Sequence, residues 1–205
     1  MNKGLLILIS APSGAGKTSL VNEIIDRDDQ LIKSVSHTTR AKRPGEEESI
    51  DYFFTTEKEF NQMVSNSDFI EHAEVFGNFY GTSKNYVEEN LDSGLDVILE
   101  IDWQGARQIQ SVKREAISIF IAPPTKQELE NRLRKRGKDS EETISIRMSQ
   151  ATSDMKKAKS YNYVVVNDSF ETATNQLLTI ISAERLRTSH QIKSNEALAF
   201  LLSPK

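Results

Sequence analysis

Lys17 and Thr18, preceded by Ala11-Pro12-Ser13-Gly14-Ala15-Gly16, have the types and spacing of groups that hold phosphate. Glycines let the chain curl so that successive backbone N–H groups converge on phosphate oxygens. A helix starting there aims its positive end at the same anion. Lys17 supplies a mobile charge for the β- and γ-phosphates, and the Thr18 hydroxyl is placed to ligate Mg²⁺. The generic pattern opens with Gly where this chain has Ala11. A Gly-rich turn with an exposed lysine is the plain alternative. The flanks argue against it, because the apolar run Leu5-Leu6-Ile7-Leu8-Ile9 precedes the loop and the helical pattern Leu20, Val21, Ile24, Ile25 follows.

A second group of residues suits a second phosphate. Ser34-Val35-Ser36-His37-Thr38-Thr39-Arg40-Ala41-Lys42-Arg43-Pro44-Gly45-Glu46 carries hydroxyls and two arginines three apart, braced by a Pro-Gly turn. Guanidinium forks grip phosphate bidentately, and Tyr52 and Tyr80 add hydroxyl donors. An isolated R-x-x-R pair would be a solvated loop; beside a phosphate loop it reads as an acceptor clamp.

Alternation along Phe69-Ile70-Glu71-His72-Ala73-Glu74-Val75 puts Glu71, Ala73 and Val75 on one strand face and Ile70, His72 and Glu74 on the other. A carboxylate in an aromatic-walled pocket suits guanine, whose N1–H and exocyclic amine are adjacent donors. Adenine presents an acceptor at N1 and would be repelled. Periodicity alone leaves Glu71 an ordinary exposed strand residue.

The strand-like run Val97-Ile98-Leu99-Glu100-Ile101 ends in Asp102. P-loop proteins keep at that place the carboxylate that holds Mg²⁺ through water. Glu100 and Asp102 point to the same side, and the sequence leaves open which of them meets the metal shell. Arg132 and Arg136 share a helix face at i, i+4, and Arg147 follows on a restarted helix with Ser140 as N-cap and Glu141-Glu142 in its first turn. Arginines brought over a transferring phosphoryl group would neutralise its charge; without that context they would read as a solvated basic helix. His37, His72 and His190 have no metal spacing, and no Ser/His/Asp triad is legible.

The elements that must position these groups read as a doubly wound α/β core. Apolar runs at 97–101, 117–121 and 163–166, with the first at 5–9, look like buried parallel strands, each followed by a helical stretch. Such sheets bind ligands beyond the carboxyl ends of their strands. Two insertions interrupt the core: a β-rich acceptor lobe at 34–84, with short strands near 34–38, 52–55, 69–76 and 79–82 and a helix near 57–64, and a helical lid at 125–147. The core is then 1–33, 85–124 and 148–205, helical from Ser169 almost to the end. The 205 residues suit one such domain. A net charge of −4 gives no electrostatic case for nucleic acid or an acidic membrane. The absence of cysteine excludes a disulfide scaffold and a thiolate metal site. No run approaches the ~18 apolar residues of a membrane span, and a cytoplasmic location is expected.

Ser10–Thr18, the 34–46 segment, Glu-His-Ala-Glu-Val-Phe-Gly-Asn (71–78), Ile-Asp-Trp-Gln-Gly-Ala (101–106) and Arg-Gly-Lys-Asp-Ser-Glu-Glu (136–142) together closely resemble the bacterial guanylate kinases, in order and over essentially the whole chain. Ala11 also occurs there. Phe79 stands where a second tyrosine is common, and Glu100 where Asp is also found. The resemblance implies transfer from ATP to GMP, and to dGMP, with Mg²⁺. It implies ATP binding by residues 11–18 (Ala11, Pro12, Ser13, Gly14, Ala15, Gly16, Lys17, Thr18) and Asn167, with Ser36, Arg40, Arg43, Tyr52 and Tyr80 holding the GMP phosphate. Glu71, Thr82 and Asp102 would read guanine, Lys17, Arg40, Arg132, Arg136 and Arg147 would be catalytic, and Thr18 and, through water, Glu100 would serve the metal. The acceptor phosphate, with second pKa of about 6, is already largely a dianion and needs no general base.

A kinase for another phosphorylated acceptor would lack the Glu71-type reader. A P-loop GTPase would lack the Arg40/Arg43 clamp. A guanylate kinase-like phosphopeptide-binding module would have a degraded P-loop, whereas Gly14, Gly16, Lys17 and Thr18 are intact. Neither a nucleic acid nor a membrane is expected as partner, and homo-oligomer formation is left open.

Overall fold

The computed structural model describes residues 3–135 and 140–202. Five parallel strands form the core sheet in the order β2 (Leu31–Lys33), β7 (Asp96–Glu100), β1 (Leu6–Ser10), β8 (Ile117–Ala122) and β9 (Tyr163–Val166). Nearly continuous apolar strands mean that both faces are covered. Ile7, Ile9, Ile98, Ile119, Ile121 and Val165 pack with Leu20, Val21 and Ile24 of α1 (Lys17–Asp26) and with Ala173, Leu177 and Ile181 of α7 (Phe170–Arg185). The alternate residues Leu6, Leu8, Val97 and Leu99 face Val87 and Leu91 of α3 (Lys84–Asp92) and Ala106 and Ile109 of α4 (Trp103–Val112). Each such fully buried aliphatic side chain contributes about 1.5–3 kcal/mol over leaving it exposed. The chain winds from β1 outward to β2 and later to β8 on the other side of β1, so a crevice opens at the carboxyl ends where the winding reverses.

A second sheet has the order β4 (Phe53–Phe54), β3 (His37–Thr38), β6 (Asn78–Ser83) and β5 (Phe69–Val75). Its one helix, α2 (Glu57–Ser65), starts with a capping box between Thr56 and Glu59 and buries Phe60 against Phe69 and Phe79. β5 is an edge strand, and α4 covers that edge. Gln108 accepts from His72 N (3.2 Å) and donates to His72 O (2.7 Å), while Gln104 donates to Glu74 O (3.2 Å). Two glutamines four apart on one helix thus satisfy backbone groups that an exposed edge would leave open.

α5 (Lys126–Lys135) and α6 (Glu141–Lys157) pack through Leu129, Leu133, Ala151 and Met148. Ser140 caps α6 as expected, accepting from Thr143 N, and α6 runs on past residue 147. Residues 136–139, the expected helix break with Arg136, lie outside the described residues.

The remaining differences have local causes. β2 was not expected, since three residues ending in lysine show no periodicity. Of the expected strands at 34–38 and 52–55 only 37–38 and 53–54 form ladders, with Tyr52 in an isolated bridge to Glu48. The expected near-continuous C-terminal helix is three: α7, α8 (Thr188–Ser194) and α9 (Glu196–Leu201). The first break is at Arg187 (φ −57°, ψ 135°), without Gly or Pro to signal it, and Asn195 caps α9 by accepting from Leu198 N.

Candidate active site

The phosphate loop leaves β1 at Ser10 and enters α1 at Lys17. Gly14 and Gly16 have φ of +93° and +91°, in the left-handed region. At Gly16 a Cβ would also come within 2.5 Å of the Asn167 side-chain nitrogen. Asn167 follows β9 and donates that nitrogen to Ala15 O at 2.8 Å, so the end of one strand braces the loop after another. Gly16 is the N-cap of α1 and offers no side chain, which leaves the first helical N–H groups facing the crevice.

Glu100, the last residue of β7, stands beside the loop. Its Oε2 accepts from Thr18 Oγ1 at 2.9 Å and lies 3.8 Å from Lys17 Nζ. Withdrawal from water pulls the Lys17 ammonium below the usual lysine range, against the raising effect of Glu100, Asp102 and Glu71. A carboxylate and a hydroxyl at this spacing are hard oxygen donors. Among the described residues no three His, Cys, Asp or Glu side chains gather as a metal cage. That pattern fits Mg²⁺, which keeps waters and is held by one or two protein oxygens together with substrate phosphates.

The expected clamp residues Arg40, Arg43 and Tyr52 come from the loop between β3 and β4, and Tyr80 from β6. Arg40 donates to Glu46 Oε1 (2.7 Å) and to Ala41 O (2.8 Å), and its guanidinium lies 5.2 Å from the Tyr52 ring centroid. Glu46 also accepts from Arg43 N (2.8 Å) across a turn in which Gly45 has φ +85°. Glu46 therefore aims Arg40, a role the sequence reading did not assign. The Arg40 charge holds the Glu46 carboxyl below its usual range against the opposing effect of burial. Tyr52 and Tyr80 meet edge to face at 5.9 Å.

Glu71 is only 4% exposed. Its Oε1 accepts from Thr82 Oγ1 on β6 at 2.6 Å. Its Oε2 lies against the start of α4, where a Cβ on Gly105 would come within 2.3 Å of it. Asp102, the N-cap of α4, accepts from Gln104 N (3.1 Å) and Gly105 N (3.0 Å) through Oδ1 and from the Gln104 side chain (2.9 Å) through Oδ2. Burial first, then the Asp102 charge, push Glu71 up to about 7, against the lowering effects of Thr82 and Lys17.

These groups share one cleft of about 660 Å³, within the range of small-molecule sites. It is lined by residues 11–18, Ser36, Arg40, Arg43, Tyr52, Glu71, Tyr80, Glu100, Asp102 and Arg147. Thr82 is buried behind Glu71, and Asn167 lies beneath the loop. Arg147 Nη1 donates to Ser13 Oγ at 3.1 Å. Arg132 does not line the cleft and is bound to Glu128 (2.8 Å) and Asn167 O (3.1 Å). Asp154 of α6 also lines the cleft, and burial and the Asp102 charge raise its pKa. Nothing in the sequence marked it, because helical residues facing across a cleft carry no local signal.

A glycine-rich loop, two arginines and a buried carboxylate open to one cleft. The guanylate kinase family model matches residues 3–184. The chain belongs to the guanylate kinase family. It is 52% identical over 202 residues to guanylate kinases of Salmonella paratyphi A and Escherichia coli K12, covering 97% of this chain and 97% of each relative. It also superposes on the crystal structure of guanylate kinase from Anaplasma phagocytophilum with a TM-score of 0.79 at 36% identity, over 98% of this chain and 95% of that one. Family membership covers both sheets and the α5–α6 region together.

Proposed function

We propose that the chain is an ATP:GMP phosphotransferase, moving the γ-phosphoryl group of Mg-ATP onto the phosphate of GMP or dGMP and releasing ADP and GDP. The observation that carries this reading is Glu71, a buried carboxylate with one oxygen held by Thr82 and the other directed to the start of α4, in the cleft that also holds the phosphate loop. Guanine, with two adjacent donors, satisfies such a group; adenine leaves it unpaired, which costs a site dearly.

A phosphate oxygen of GMP attacks the γ-phosphorus of ATP as the bond from that phosphorus to the β,γ-bridging oxygen breaks. No proton has to be removed from the nucleophile, so the protein's work is placement and charge neutralisation. Residues 11–16 and Lys17 hold the donor phosphates, with Asn167 bracing the loop. Ser36, Arg40, Arg43, Tyr52 and Tyr80 hold the acceptor phosphate, and Glu71, Thr82 and Asp102 read the base. Thr18 and, through water, Glu100 would hold Mg²⁺, which supplies charge neutralisation at the donor phosphates when bound. Residues 34–84 act as the acceptor lobe and 125–147 as the lid that brings Arg132, Arg136 and Arg147 over the transferring group. Closure excludes water that would hydrolyse ATP. Among the described residues no helix is long and apolar enough to cross a membrane, and the cytoplasm, where both nucleotides are found, is the proposed compartment.

An ADP-release assay with Mg-ATP and a panel of GMP, dGMP, AMP, CMP and UMP tests the reading. Turnover confined to GMP and dGMP is expected. Turnover with AMP or a pyrimidine nucleotide would overturn the guanine assignment while retaining the kinase.

A further inference from the structure

Glu100 has a second cation that the reaction as described does not use. Lys33 ends β2 and pairs in parallel register with Ile98 of β7, so Glu100, two residues further on, shares its face as a diagonal neighbour. A diagonal separation is within reach of long side chains, and Lys33 Nζ lies 3.9 Å from Glu100 Oε1. Lys17 Nζ lies 3.8 Å from the other oxygen, Oε2. The carboxylate is thus flanked by two lysines, one on each oxygen, in a setting where the three side chains are 24%, 23% and 13% exposed for Lys33, Lys17 and Glu100.

Neither contact is a close hydrogen bond, so the two cations share Glu100 by charge alone. The short bond to Glu100 comes from Thr18. Lys17 has to leave that sharing to serve nucleotide phosphates. If it were the sole neutralising cation, its departure would strand a largely buried carboxylate beside a polyanion, an arrangement that costs heavily in a partly desolvated site. The like charge of Lys33 also acts on Lys17 directly, lowering the pKa of its ammonium.

We propose that Lys33 is a positioning residue for phosphate binding: it keeps Glu100 neutralised from the β2 side and so frees Lys17 for the nucleotide phosphates. Lys33 acts through Glu100 rather than by touching substrate. The proposal rests on the assignment of Lys17 as the phosphate-binding lysine, and it does not depend on Glu100 meeting a metal shell.

The test is ATP affinity measured calorimetrically in EDTA, without metal or turnover, on the full chain. Wild type, Lys33→Met, Lys33→Arg, Glu100→Gln and the Lys33→Met/Glu100→Gln double variant form a cycle. Lys33→Met is expected to weaken ATP binding by about three- to tenfold, with Lys33→Arg close to wild type. In the Glu100→Gln background, Lys33→Met should have little effect, since the carboxylate it serves is gone. Unchanged affinity in Lys33→Met would overturn the proposal. So would an equal loss in both backgrounds, which would mean a direct long-range attraction between Lys33 and phosphate. Lys17→Met tests the underlying assignment separately: ATP affinity in EDTA that survives its loss would remove the role of Lys17 and the proposal with it.

Discussion

With Glu71 reading guanine as proposed, lowering the pH should switch off GMP recognition before it affects ATP, because Glu71 titrates near neutrality. Glu71 is pushed up to about 7 by its burial and by Asp102, and only its ionised form accepts from both guanine donors. With that pKa it is about 91% ionised at pH 8 and about 9% at pH 6, a tenfold fall. The GMP phosphate, with second pKa near 6, loses about half of its dianion over the same interval, a further twofold. The kcat/KM for GMP should therefore fall about twentyfold from pH 8 to pH 6. This parameter reports the free enzyme and free substrate, so the comparison needs no knowledge of the bound state. Glu71→Gln removes the tenfold step and leaves the twofold one, on top of a lower overall rate. A wild-type profile no steeper than the twofold phosphate step, or the same steep profile in Glu71→Gln, would refute the argument that burial sets the charge of the base reader.

Other outcomes follow from the same geometry. The raised Glu71 pKa favours the folded state below about 4.5 and that contribution is lost as pH rises through about 7, so Glu71→Gln should be more stable than wild type at pH 8 by about 1–3 kcal/mol in urea unfolding, and no more stable near pH 4. Gly105→Ala should lower kcat/KM for GMP by about 10²-fold, since the new methyl collides with Glu71, while ATP binding by calorimetry stays unchanged and stability moves by less than about 1 kcal/mol. Lys17→Met should lower kcat by about 10²–10³-fold without lowering the melting temperature, because the ammonium it removes is held in a desolvating site. Phe76, 56% exposed at the β5–β6 turn with φ +53°, sits where a hairpin of this kind favours Asn, so Phe76→Asn should raise unfolding stability by about 0.5–1 kcal/mol.

The features legible in the sequence are those whose signal is local. Gly14 and Gly16 announce the loop because its backbone needs positive φ, and the four apolar runs announce strands because both faces of the sheet are covered. Alternation put Glu71 and Ala73 on one face of β5, but periodicity alone left that face exposed, and only the structure shows both residues buried. What was not legible depends on partners distant in the chain. Lys33 and Glu100 meet only because β2 lies beside β7, and β2 is too short to show a pattern. Gly105 reads as a small residue in a helix until Glu71 is placed against it. Gln104 and Gln108 look like solvated helix positions, yet they close the open edge of β5. Arg132, expected over the transferring phosphoryl group, is bound to Glu128 and Asn167 here, and helical spacing alone does not reveal the Asn167 contact.

The fate of the γ-phosphoryl group tests the central claim most directly. Phosphorus NMR of a mixture of enzyme, Mg-ATP and GMP should show ADP and GDP rising in equal amounts, with no inorganic phosphate beyond the uncatalysed background. Inorganic phosphate appearing in place of GDP would contradict the account, since the cleft would then deliver the phosphoryl group to water rather than to a nucleotide chosen by Glu71.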